Sequence, residues 1–405
     1  MQEKRIYLDW AAATPLLPEA KVAMLPFLEG DFGNASAIHQ EGQVARRAVE
    51  NARDGVARVL QVRPEFITFT SGGTEANNLA ILGSLEAMCE GKASASTTCE
   101  GKASAEMEVI TTRIEHPSVM NTMSALKRRG VVVKYVDVDE EGVVELAHLR
   151  ELLSEKTVLF SVAYANSEIG VVQKLHGIKK VLREAEETYG TKIMFHLDAA
   201  QAPLWLNCQF GSTGADVMVL DAGKFCGPKG VGVLVRSRRV ELVAAAFGGG
   251  QEAGLRPGTE NVAGIVGAAV ALEVAQSDWC ERAKRARSVR DGGIKGLLET
   301  IPNAILNGPT GEDRLANNIN ISILGFDTEY AAVWLDSKGF AVSTKSACSG
   351  AGGGESTVVK ATSADAARAA STLRFTIGPG TTNEDLHALV TALMAHCALM
   401  RGLTH

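Results

Sequence analysis

The chain has 405 residues, 46% of them hydrophobic and 22% charged, which suits a globular protein of two or three domains. Its net charge of −6 argues against a general nucleic-acid binder, and no run of about 18 uncharged apolar residues is present to cross a membrane. Residues 1–7 lack the apolar core of a signal peptide, so the expectation is a cytoplasmic protein with neither nucleic acid nor membrane as partner.

Apolar periodicity sets the expected elements. Residues 43–60 read as a helix, 66–70 as a strand and 74–88 as a helix. Further strands are expected at 109–112, 131–136, 158–164, 193–197, 217–220 and 231–235, with helices at 118–128 and 178–189 among them. This alternation predicts an α/β fold with a mainly parallel seven-stranded sheet covered on both faces. Residues 261–298 read as largely helical, followed by a strand at 318–323, a helix at 329–337, a strand at 372–377 and a final helix at 383–399. The expected organisation is a large domain over 1–262, then a connecting helix and a small α+β domain over 263–405.

The seven cysteines are odd in number and none is spaced as CxxC, so neither a disulfide framework nor a metal site is expected. Cys89-Glu-Gly-Lys-Ala-Ser-Ala recurs as Cys99-Glu-Gly-Lys-Ala-Ser-Ala, which marks a duplicated insertion, a surface loop at about 89–105.

Lys224 stands in Leu220-Asp-Ala-Gly-Lys-Phe-Cys-Gly-Pro-Lys-Gly, a turn of small residues between two apolar strands. Burying an unpaired ammonium is costly. A lysine there is explained if its amine forms a Schiff base with an aldehyde, of which pyridoxal phosphate (PLP) is the common protein-bound case. Such a cofactor needs an anion cradle, a carboxylate for its ring nitrogen and a flat partner for its ring. Phe69-Thr-Ser-Gly-Gly-Thr-Glu-Ala-Asn-Asn follows a strand and opens a helix, so Gly73 and Thr74 offer the cradle. Phe195-His-Leu-Asp-Ala-Ala-Gln puts Asp198 at a strand end, with Gln201 in reach of a ring hydroxyl; the same aspartate also suits a helix cap. Ile114-Glu-His-Pro-Ser puts His116 where it stacks on a ring, moves protons or serves structure alone.

Thr74, His116, Asn166, Asp198, Gln201 and Lys224, in this order, resemble the fold-type-I PLP enzymes of the class V aminotransferase group. Other segments resemble the cysteine desulfurases within it: Ile6-Tyr-Leu-Asp-Trp-Ala-Ala-Ala-Thr-Pro, Gly33-Asn-Ala-Ser-Ala-Ile-His-Gln-Glu-Gly, Tyr164-Ala-Asn-Ser-Glu-Ile-Gly-Val-Val-Gln and Gly254-Leu-Arg-Pro-Gly-Thr-Glu-Asn. Val342-Ser-Thr-Lys-Ser-Ala-Cys-Ser-Gly-Ala-Gly-Gly-Gly-Glu is similar to the desulfurase loop that carries the catalytic cysteine. The resemblance spans nearly the whole chain outside the insertion.

It implies PLP as cofactor, held by Gly73, Thr74, His116, Asn166, Asp198, Gln201 and Lys224, with Thr259 serving the site of a second subunit in a homodimer. It implies Lys224, Cys348 and His116 as catalytic residues, and Asn34, Asn166 and Arg374 for the L-cysteine substrate. It implies that residues 1–15 pack on the small domain. L-Cysteine would become L-alanine, with its sulfur held as a persulfide on Cys348 for an acceptor protein. The glycines after Cys348 resemble the longer-looped desulfurases that feed iron–sulfur scaffolds.

The sequence departs from the family at several positions. Asp221-Ala-Gly223-Lys stands where the family usually has Ser-x-His-Lys, whose serine and histidine touch the phosphate; Gly223 removes one donor, and Asp221 would put a carboxylate near a dianion unless it turns away. Trp10, Ala35, Ser167 and Ala253 also replace the usual residues. Two alternatives stay open at this point: another PLP lyase or transaminase, such as one acting on selenocysteine, and a PLP-fold protein that binds or carries sulfur without turnover.

Overall fold

The structure is a computed structural model that describes residues 5–90, 107–344 and 354–403. Cys99 and Cys348 lie outside the described residues. The strands are β1 (Ile6–Tyr7), β2 (Ile67–Thr70), β3 (Glu108–Thr111), β4 (Val132–Tyr135), β5 (Thr157–Ala163), β6 (Met194–Asp198), β7 (Val217–Asp221), β8 (Gly232–Arg236), β9 (Ala304–Leu306), β10 (Asn318–Ile323), β11 (Phe340–Ala341) and β12 (Thr372–Thr376).

Seven strands form the large sheet in the order β2-β8-β7-β6-β5-β3-β4. β8 runs antiparallel to β2 and β7, and every other pairing is parallel. β2 and β6 are buried along their whole length, because helices cover both faces of the sheet. The chain leaves β3 for the edge strand β4 and returns on the other side of β3 as β5. That reversal opens a crevice at the carboxyl ends of the strands, where ligands bind in such sheets. β2 points the same way as β7, since both oppose β8. The ends of β2, β3, β5, β6 and β7 therefore meet at one edge. Because β7 and β8 are antiparallel neighbours, only the short turn at 222–231 joins them, and Lys224 sits in that turn.

Helices bring their own start signals to this edge. The helix Gly73–Glu90 opens directly after β2. The helix Pro117–Arg128 has proline in its first turn, where the missing N–H costs nothing, and His116 Nδ1 caps it by accepting from Ser118 N at 3.1 Å. The helix Gln40–Leu60 buries Ala45, Val49, Ala52, Val56 and Leu60, the three-and-four spacing of one face.

The remaining strands form a three-stranded antiparallel sheet, β12-β10-β9, and a parallel pair, β1 with β11. After β1 the chain crosses toward the crevice; Ala11 N donates to Thr376 Oγ1 at 2.9 Å and Thr14 N to Gly223 O at 3.0 Å. The expected helix at 261–298 is two helices, Val262–Ser277 and Trp279–Thr300. Arg282 makes the break: its guanidinium donates to Ala275 O at 2.7 Å and Val274 O at 3.1 Å, carbonyls that the next helical turn would otherwise cover. Cys89, in the duplicated insertion where no disulfide was expected, is disulfide-bonded, whereas Cys208, Cys226 and Cys280 are not.

Gly232, paired with Thr70 across β8 and β2, has no room for a side chain; a Cβ there would meet the Gly72 carbonyl at 2.5 Å. Gly232→Ala is expected to destabilise the fold by about 1–3 kcal/mol, the usual range for overpacking. Denaturant unfolding checks this as a lowered midpoint at unchanged slope; an unmoved midpoint contradicts it.

Candidate active site

The strand ends enclose a cavity of about 270 Å³. Lys224 is half-buried in its wall, and its Nζ donates to Ala11 O at 3.0 Å and to Ala12 O. Gln201 Nε2 donates to the same Ala11 carbonyl at 3.0 Å. The N-terminal segment thus holds both side chains at the cavity through backbone oxygens. Among the described residues no carboxylate is paired with the Lys224 amine.

Asp198 ends β6 and is buried. Its Oδ1 accepts from Ala200 N at 3.0 Å and its Oδ2 from Asn77 Nδ2 at 2.8 Å. Asn77 Nδ2 also donates to Ser118 Oγ at 2.9 Å, and Ser118 Oγ lies 2.8 Å from His116 Nδ1. Since Ser118 N also donates to Nδ1, that nitrogen is the acceptor and the neutral ring carries its proton on Nε2. Burial holds the His116 imidazole below its ordinary value; the Lys224 ammonium adds to this, while Asp198 and Asp221 oppose it. His116 is therefore neutral near pH 7.

Glu115 lines the same cavity and is buried. Burial pushes its carboxyl up to about 8, the nearby Asp198 carboxylate reinforces the rise, and bonds from Thr112 and the Ala163 backbone oppose it. Burial thus keeps Glu115 a neutral acid near pH 7.

At the end of β2, Gly73 and Thr74 line the cavity at the start of the helix Gly73–Glu90. Gly73 N donates to Asp221 Oδ2 at 3.0 Å, and Gly223 N donates to Asp221 Oδ1 at 2.9 Å. The carboxylate that replaces the usual serine thus points into the cradle. Ser71 N is bonded by Glu75, which in turn pairs with Arg256.

Arg374, on β12, reaches the cavity from the small sheet. It donates to Asp9 Oδ1 at 2.8 Å and Ser167 O at 3.2 Å, and its Nε is buried without a partner. Asn166 uses Oδ1 to accept from Glu168 N and Ile169 N, and one amide hydrogen to reach Ile114 O at 2.7 Å, holding the loop before His116.

Of the residues singled out from sequence, Gly73, Thr74, His116, Asn166, Asp198, Gln201, Lys224 and Arg374 meet at this cavity. Asn34 and Thr259 do not; both are exposed, on loops that Gln251 ties together through Ser36 Oγ and Gly258 N. Cys348 lies outside the described residues, yet the chain on both sides of it is at the site. Ser343 is bonded to the Arg374 backbone, and Thr357 and Val358 line the cavity. Sequence reasoning missed Asn77, Ser118, Glu115 and Asp9 as site residues. Each stood inside a quoted segment, and a polar residue one helical turn after the Gly-Gly cradle, or three before the next apolar run, was the available signal.

A family model described as Aminotransferase class-V matches residues 6–389. A cysteine desulfurase IscS of Dictyoglomus turgidum is 37% identical over 96% of this chain and 94% of its own length. A solved NifS-like protein superposes with a TM-score of 0.87 at 31% identity, covering 98% of this chain and 100% of that one. A structure titled SspA in complex with cysteine is 30% identical over 92% of this chain and 99% of that one, with a TM-score of 0.75. The chain belongs to the class V aminotransferase family, and within it to the cysteine desulfurases.

The Glu115 carboxyl has a folded value of about 8 against an ordinary 4.5, so the folded state keeps a proton that the unfolded chain loses. Its contribution to stability is full below about pH 4.5 and is lost as pH rises toward 8. Glu115→Gln, which keeps the Thr112 contact, is expected to raise the melting temperature more at pH 8 than at pH 5. Equal shifts at both pH values contradict a neutral Glu115.

Proposed function

We propose that this chain is a PLP-dependent cysteine desulfurase that converts L-cysteine to L-alanine and carries the sulfur as a persulfide on Cys348. The observation that carries this reading is the convergence of the Lys224 amine, the buried Asp198 carboxylate and the partly unpaired Arg374 guanidinium on one cavity.

The donor set fits PLP. Lys224 offers the amine for its aldehyde, Asp198 a carboxylate for a protonated ring nitrogen, and Gln201 a donor for its ring hydroxyl. His116 offers a flat neutral ring, and Gly73 and Thr74 the start of a helix for its phosphate. When bound, the cofactor supplies an electron sink for bonds broken at the substrate's carbons.

The chain's own residues do the rest. The orphaned Arg374 Nε and its neighbouring N–H groups suit a substrate carboxylate, which competes with Asp9 for the fork. Lys224 Nζ, released by the substrate amine, moves the α-proton. Asn77 fixes Asp198, and Ser118 fixes His116, so neither rotates as charge shifts. The Cys348 thiolate attacks the substrate sulfur. A sulfur–sulfur bond forms, the carbon–sulfur bond breaks, and the electron pair left on carbon takes a proton to give alanine. A thiol or an acceptor protein then removes the sulfur. The similarity of the Cys348 segment to longer-looped desulfurases supports an iron–sulfur scaffold as that acceptor.

A homodimer with shared sites is part of the proposal. Phe32, Ile38 and Phe247 are 81%, 88% and 94% exposed, and they flank Asn34 and precede Thr259 on the two loops joined by Gln251. Large apolar side chains this exposed on two loops that touch suit an interaction surface. Phe247→Asp is expected to convert a sedimenting dimer to monomer and to lower turnover; a variant that sediments like the wild type contradicts the shared-site arrangement.

Alanine and sulfide release from L-cysteine, with PLP and a thiol reductant present, tests the activity. Equal amounts from the wild type are expected, with loss of at least a hundredfold for Lys224→Ala or Cys348→Ala, about the scale of removing a proton-transfer group. Full sulfide release by Cys348→Ala contradicts a persulfide on that residue.

A further inference from the structure

We infer that Asp221 is a built-in anion that occupies the phosphate cradle when cofactor is absent and competes with the cofactor phosphate for it. The inference rests on the PLP reading above. It goes beyond it by assigning a role to a residue that the family pattern does not predict.

The geometry is specific. Asp221 closes β7 and is held in register opposite Gly232 of β8, so its backbone is set by the sheet. Its two oxygens divide between two amides: Oδ2 takes Gly73 N at 3.0 Å, and Oδ1 takes Gly223 N at 2.9 Å. Gly73 begins the helix Gly73–Glu90, whose amide groups and dipole make its start an anion site. The absence of a side chain at Gly73 makes the approach possible, since a Cβ there would lie 3.2 Å from both Asp221 Cβ and Oδ2. Asp221, Gly73, Thr74, His116 and Lys224 line one cavity, so the carboxylate stands within the space a Lys224-bound cofactor fills.

Two consequences follow from one carboxylate. In the cofactor-free protein Asp221 satisfies the first amide of the helix and the turn before Lys224, which keeps the cradle formed. In the loaded protein a phosphate that takes the Gly73 amide must displace Asp221 and then sit beside its charge. Asp221 therefore stabilises the empty protein and weakens cofactor binding, making the cofactor exchangeable. A residue with a merely structural role would shift stability alone.

Titration of the cofactor-free protein with PLP, read as the visible absorbance of the Lys224 adduct, gives the dissociation constant directly, and thermal unfolding of the empty protein gives the second readout. Asp221→Ser is expected to bind PLP tenfold or more tighter, the scale of one charge-assisted hydrogen bond, and to melt lower when empty. Asp221→Asn removes the charge at nearly constant shape and is expected to tighten binding in the same direction; it serves if the serine variant does not fold. Tighter binding by either variant, including uptake where the wild type takes up none, supports the inference. Unchanged or weaker binding by folded variants, while the wild type loads normally, overturns it and leaves the PLP reading standing. Failure of the wild type and both variants to take up PLP overturns both.

Discussion

A buried carboxylate that no cation among the described residues bonds constrains the whole site. Asp198 ends a fully buried strand, and taking its charge out of water costs several kcal/mol unless other groups compensate. The compensation available within the chain is an amide hydrogen from Asn77 and a backbone N–H from Ala200. Its field reaches further. It helps keep Glu115 protonated, and it opposes the fall in basicity that burial imposes on His116 and on the fully buried His196. With Glu115 and His116 both neutral, Asp198 keeps a negative charge facing the cavity. A cationic ring nitrogen would complement that charge, and the fold delivers the other groups such a ring requires to the same place.

The sheet explains how they arrive together. Parallel strands put their carboxyl ends on one edge, and each end starts a loop that carries one functional group: Gly73 after β2, His116 after β3, Asn166 after β5, Asp198 on β6 and Lys224 after β7. The small sheet adds Arg374, and the N-terminal segment adds the carbonyls of Ala11 and Ala12. Three separate parts of the chain thus meet at Lys224. Its amine is held by dipoles that release it easily, as a group that must form and exchange covalent bonds requires. The fully buried Cys208 is the opposite case: burial raises its thiol far above the ordinary range and leaves it inert.

Much of this was legible in the sequence because short apolar runs alternate with helical spacing, and because the polar residues stand just past the runs. The seven sheet strands all appear within about two residues of their expected bounds, a margin usual for element ends. What stayed hidden depends on contacts between distant segments. β1 and β11 are two residues each, too short for any period, and exist because Ile6 pairs with Phe340. The break between Ser277 and Trp279 follows from where the Arg282 guanidinium turns, which no local pattern shows. The Asp198–Asn77–Ser118–His116 chain joins three segments through bonds spanning 121 and 41 residues. Asp221 was legible as a misplaced charge, but its direction, into the Gly73 amide, is set by the pairing of β7 with β8.

The most direct measurement is the protonation of the cofactor's ring nitrogen in the assembled protein, read by nitrogen NMR with PLP labelled at that atom. With Asp198 as the charge that organises the site, the nitrogen is protonated at pH 7 in the wild type and loses that proton in Asp198→Asn. An unprotonated ring nitrogen in the wild type, or an unchanged signal in the variant, would contradict the role given to Asp198.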